Sequence, residues 1–113
     1  MGIFSRSKGS KRLLVVKGGR VKHVPTELWG MNLVQEISRL LRSESITSTR
    51  LGTVTLWHVA GDGTPNPGAS RLMAEHGFQP VNGAAVVSGE MIGADSFPLD
   101  VAVAEELALR LEP

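Results

Sequence analysis

The chain contains no cysteine and no tyrosine. Without thiols it can build no disulfide framework, no zinc–thiolate site and no cysteine nucleophile, which fits a reducing compartment. Aromatic residues are few: Phe4, Phe78, Phe97, Trp29 and Trp57 are all that 113 residues hold. That scarcity counts against a nucleic-acid surface on which successive bases stack on exposed rings. No apolar run approaches the ~18 residues of a membrane-spanning helix. Leu13-Leu14-Val15-Val16 stops at Lys17, short of the ~7–15 apolar residues of a secretory signal. Met1-Gly2 would suit a myristoylation signal, but Arg6 stands where Ser or Thr is required. A cytoplasmic protein with no membrane span is therefore expected.

Negative charge is missing from the whole opening segment, since the first acid is Glu27. Seven of the twelve basic residues, Arg6, Lys8, Lys11, Arg12, Lys17, Arg20 and Lys22, fall within the first 22 positions. The remainder carries five basic side chains against eleven acids, a balance of about −6. Such segregation predicts a positive arm or edge on a mildly acidic body, suited to a negatively charged partner. Ile3 and Phe4 beside this charge make too short an apolar pair for a membrane anchor, and a solvated basic terminus is the expected role.

Composition otherwise suits one folded domain, with 42% hydrophobic and 20% charged residues. Residues 1–11 have no hydrophobic period and read as a flexible basic arm, with a single α/β domain over 12–113. Leu13–Val16 and Val21–Val24 read as two strands of a hairpin, because Gly18-Gly19 supplies the positive φ angles of a tight turn. Leu33, Val34, Ile37, Leu40 and Leu41 recur at helical spacing, which predicts a helix over most of 27–42, irregular near Gly30. Ser43 to Arg50 is polar and reads as a loop, followed by one strand over Leu51–Ala60. Trp57 there has the opposite parity to Val54, Leu56 and His58, so it faces outwards or covers a second layer.

Asn66-Pro67 gives a cap and a first helical position, Ala69, Leu72 and Met73 share a face, and Gly77 can end the helix in a left-handed conformation. Ala84–Ser88 suits a buried strand, and Gly89 to Phe97 a loop or short extended piece. Pro98 opens a last helix with Val103, Ala104, Leu107, Ala108 and Leu111 as its inward stripe. The order β-β-α-β-α-β-α, with no internal repeat, gives an α+β or α/β class. A small mixed sheet with an N-terminal hairpin would pack against about three helices in two layers.

Chemistry-bearing motifs are sparse. Gly61-Asp62-Gly63-Thr64 before a helix has the ingredients of an anion site but lacks the lysine of a P-loop, and plain turn chemistry accounts for it. His23, His58 and His76 fall on three different elements without metal-ligand spacing, so no metal or cofactor is expected. Glu75 beside His76, and Glu105 beside Glu106, point about 100° apart on a helix and do not converge on one substrate atom. Gly68-Ala69-Ser70-Arg71 lacks the second glycine of a nucleophile elbow. A catalytic role is not expected.

The succession of the basic start Met1-Gly2-Ile3-Phe4-Ser5-Arg6, the strand Leu13–Val16, the helix entry Asn66-Pro67-Gly68-Ala69-Ser70 and the strand Gly83-Ala84-Ala85-Val86-Val87 resembles small accessory or assembly proteins of bacteriophages. The resemblance is one of layout over residues 12–111. It implies a non-enzymatic protein that binds others in a virion, for example at the neck or connector. The expected function is thus an interaction or assembly module docking through its basic arm and hairpin on an acidic protein surface or in its own oligomer. The alternative is a nucleic-acid-binding accessory protein contacting phosphates non-specifically through the same seven residues.

Overall fold

The computed structural model describes residues 11–60 and 63–112. The unbroken apolar run Leu13–Val16 forms the middle of β1 (Lys11–Lys17), which pairs with β2 (Arg20–Pro25) in the register Val16↔Val21 and Leu14↔His23. The two-residue connection is the one the sequence predicts, with Gly18 at φ 58° and Gly19 at φ 77°, as a type I′ turn demands. Helix α1 (Gly30–Leu41) follows, then β3 (Ile46–Leu51), β4 (Val54–Val59), α2 (Pro67–Glu75) and β5 (Ala85–Ser88). The chain closes with the two-residue strands β6 (Met91–Ile92), β7 (Asp95–Ser96) and β8 (Leu99–Asp100), and helix α3 (Val101–Leu111).

These elements form a mixed α+β fold of three helices on a sheet ordered β2-β1-β5-β4-β3, with β8 beside the start of β1. Every strand pair among the described residues is antiparallel. The helices lie on both faces, giving three layers where two are expected from sequence. On one face α2 and α3 cover Leu14, Val16, Leu56 and Val87. On the other, Leu33 and Ile37 of α1 cover Leu13, Trp57 and Val86. A sheet covered on both sides needs apolar residues at both parities, which is why β5 is buried at all four positions and lacks alternation. Trp57 belongs to this second layer, and its Nε1–H donates to Ser88 Oγ at 2.8 Å.

Several expectations are corrected. The stretch read as a loop, Ser43 to Arg50, contains most of β3, and the single strand read over Leu51–Ala60 is split by the Gly52-Thr53 turn, with Gly52 at φ 70°. As an edge strand β3 pairs on one side only, and Thr47 and Ser48 stay in water, so it carries almost no hydrophobic signal. The segment Gly89 to Phe97 takes the short extended form expected as one of its two readings, as a small β6–β7 hairpin. Val103 points to solvent, and α3 starts at Val101 after β8 rather than at Pro98. The expected flexible arm, Lys11 apart, lies outside the described residues, as does Gly61-Asp62.

Candidate basic docking face

Strand parity sorts the basic residues that the sequence groups together. Lys11, Leu13, Val15 and Lys17 alternate towards the α1 side of the sheet, and the register places Lys22 opposite Val15 and Arg20 opposite Lys17. Lys17, Arg20 and Lys22 therefore project from the same face of the outer hairpin, all exposed. Arg12 sits on the other face, half-buried, donating from Nη1 to His23 Nδ1 at 3.2 Å. Lys11 stands at the far end of β1, six residues or about 20 Å from Lys17 at strand rise, and forms an ion pair with Asp100. Arg6 and Lys8 lie outside the described residues.

Helix α1 runs along this face and ends beside the hairpin turn, so its last residues add to the cluster. Arg42 caps the helix in the left-handed region at φ 56° and ψ 39°, its N–H donating to Arg39 O at 3.2 Å while Ser43 N–H reaches Ser38 O at 3.1 Å. Between the turn and the helix end lies a cleft of about 410 Å³, floored by Val15, Leu40, Leu41 and Pro65 and edged by Lys17 and Arg42. Arg39 is held by Glu36 one turn earlier. Lys17, Arg20, Lys22 and Arg42 have no carboxylate within ion-pair distance among the described residues. The full charge of Arg42 exceeds the roughly −0.5 charge of the helix C-terminus, so the cleft mouth stays positive.

Arg42 is the contributor that sequence reasoning missed. On a helical wheel it belongs to the polar side of α1, and only the left-handed cap turns it towards the hairpin. The cap also makes a prediction. A non-glycine residue in that conformation costs about 1–2 kcal/mol, so Arg42→Gly is expected to stabilise the fold by about 0.5–1 kcal/mol while weakening any docking at this face. A chemical-denaturation midpoint would read the first effect, and an unchanged or lowered midpoint would count against the cap geometry.

Elsewhere the chemically suggestive residues have structural occupations. Glu75 is paired with Arg110 across the α2–α3 contact. Thr55 Oγ1 donates to Gly89 O at 2.9 Å, and Ser70 Oγ donates to Val81 O at 3.0 Å. No group of three potential metal ligands gathers among the described residues, and no described helix is long and apolar enough to cross a membrane.

Fold and face together define a small antiparallel α+β domain with a basic cleft at one end. No protein-family model, curated protein or solved structure matches the chain.

Proposed function

We propose that this protein is a non-enzymatic interaction or assembly module that docks on an acidic protein surface through the α1-facing side of its β1–β2 hairpin. One observation supports this above the others: Lys17 and Arg42 edge one shallow cleft, Arg20 and Lys22 project from the same face of the adjoining hairpin, and all four are exposed without carboxylate partners among the described residues. Unpaired cations at a rim steer an oppositely charged partner and fix its register. The apolar floor of Val15, Leu40, Leu41 and Pro65 favours a protein segment over a phosphate backbone, because an acidic peptide can seat a hydrophobic side chain there while its carboxylates meet the rim. The likeness in layout to phage accessory proteins makes a virion component the first partner to test, the chain being cytoplasmic until incorporated.

Reversing all four charges (Lys17→Glu, Arg20→Glu, Lys22→Glu, Arg42→Glu) replaces attraction with repulsion. Capture by the partner, or incorporation into particles, is expected to fall at least about tenfold while the melting curve of the isolated domain is nearly unchanged. Undiminished capture would reject the assignment. Co-purification with nucleic acid, with a salt slope of ~0.9 per phosphate contacted, would instead select the phosphate-binding alternative.

A further inference from the structure

Helix α1 carries opposite charge at its two ends. Its C-terminal end closes the Lys17–Arg42 cleft, and its N-terminal end, 12 residues or about 18 Å away, is bordered by acids. Glu27 and Glu90 edge two adjoining depressions there, and Asp95 Oδ1 comes within 3.6 Å of the place a Gly30 side chain would take. These three carboxylates are exposed and in no ion pair among the described residues. Lys11 is paired with Asp100, and Arg50 reaches the Gly93 carbonyl at 3.4 Å. Four acids against two bases leave this end about −2 among the described residues. Apolar surface is also left in water. Leu28 and Trp29, with Phe97 and Pro98, line a depression of about 370 Å³. The Trp29 and Phe97 rings stack with centroids 5.9 Å apart and planes 6° from parallel, yet Trp29 remains 57% exposed. Trp29 also holds the N-cap position of α1 without a side-chain capping bond, where Ser, Thr, Asp or Asn would satisfy a free N–H. An exposed indole at a site that favours a polar cap is accounted for by contact with a partner.

We propose that the acidic surface met by the hairpin face is this end of a second copy of the chain, with Trp29 of that copy seated in the Lys17–Arg42 cleft. The inference rests on the docking function proposed above and names its partner. The unpaired bases Lys17, Arg20, Lys22 and Arg42 then face the unpaired acids Glu27, Glu90 and Asp95. At an exposed rim such pairs steer and orient more than they hold, so the indole supplies the anchor. The cleft of about 410 Å³ falls in the ~300–1,000 Å³ range of small-ligand pockets and admits one indole over Val15, Leu40, Leu41 and Pro65, none of them fully buried. One contact thus covers both the apolar floor at one end of α1 and the aromatic pair at the other. Because the two surfaces differ, the contact is heterologous. Each added copy leaves one basic and one acidic end free, so assembly does not stop at two and proceeds to a ring or an open filament.

Sedimentation velocity of the 113-residue chain provides the test. At low salt, species larger than a dimer are expected, increasing with protein concentration and receding as salt rises. Trp29→Ser, and the fourfold reversal Lys17→Glu/Arg20→Glu/Lys22→Glu/Arg42→Glu, should each weaken association at least about tenfold. Neither should much alter the melting curve at a dilution where the chain is monomeric, since all five side chains are exposed. A mixture of the two variants is decisive. The reversed variant keeps its Trp29 end and the Trp29→Ser variant keeps its basic cleft, so together they should form a 1:1 complex that neither forms alone and that grows no further. A parent chain that stays monomeric at millimolar concentration, a dimer that adds no third copy, or a mixture without a complex would overturn the proposal. Association lost in the reversed variant but kept in Trp29→Ser would overturn it too, while leaving the hairpin face as a docking surface for another acidic partner. Association that survives the reversal would count against both readings.

Discussion

Replacing Ile37 with aspartate is expected to leave the chain without a stable folded state. Ile37 is fully buried between α1 and the sheet against a cluster that includes Leu13, Leu33, Trp57 and Val86. No cationic side chain belongs to that cluster to receive a carboxylate. The substitution loses about 1.5–3 kcal/mol of side-chain burial and adds the cost of a buried, unpaired charge. The sum exceeds about 4–5 kcal/mol and takes most of the ~5–15 kcal/mol that a domain of this size has. Leu107→Asp should do the same from the other face, where Leu107 packs with the α2–α3 cluster. The pair also tests cooperativity. If both layers depend on one sheet, Leu107→Asp should expose Trp57 on the opposite face and red-shift its emission. A native-like Trp57 signal in that variant would mean that the two layers fold separately.

The second large effect is expected at Asn66, a 2%-exposed polar residue whose side chain joins three segments. Its Oδ1 accepts from Ala69 N–H at 3.2 Å and caps α2, while Nδ2 donates to Val16 O at 2.9 Å and Gly83 O at 2.7 Å. One amide thus fixes the start of α2 to the centre of the sheet and to the entry of β5. Asn66→Ala removes the cap, worth about 1 kcal/mol. It also deprives the buried Val16 carbonyl of a donor, at about 1–3 kcal/mol, and the half-buried Gly83 carbonyl of another, at about 1 kcal/mol. A loss of about 3–5 kcal/mol is expected in denaturant titration. Asn66→Asp should be no better, although it keeps the capping oxygen, because a carboxylate then faces two carbonyl oxygens. Near-native stability of the aspartate variant would show that the cap alone matters and that the two carbonyl bonds contribute little.

Much of the secondary structure was legible because local rules and tertiary environment agree there. Gly18-Gly19, the Asn66-Pro67 entry with Gly77 at the exit, and the 33–41 stripe each have a local physical cause. Helix α1 nevertheless begins at Gly30 rather than near Thr26, since Thr26 Oγ1 accepts from Leu28 N–H in a turn instead of capping a helix. Strand β3 escaped because an edge strand exposed to water needs no apolar alternation. The layer count escaped because a strand buried on both faces, such as Ala85–Ser88, shows burial without showing what covers it.

The candidate face was only half legible. Composition and order along the chain determined that positive charge precedes negative charge, that Lys17, Arg20 and Lys22 flank a glycine turn, and that thiol chemistry is excluded. These are properties of residue identity and of spacings of two or three positions, which the backbone's own stereochemistry enforces. Tertiary structure alone decided that Lys11 and Arg12 leave the group, one paired with Asp100 eighty-nine residues away and the other facing His23 on the far side of the sheet. It also brought in Arg42, whose left-handed cap ends α1 beside the hairpin turn, and it gathered Trp29 and Phe97 into one cleft. Contacts between residues tens of positions apart depend on how strands register and which face each helix covers. Those choices are made by burying the whole core at once, and no local stretch of the sequence records them.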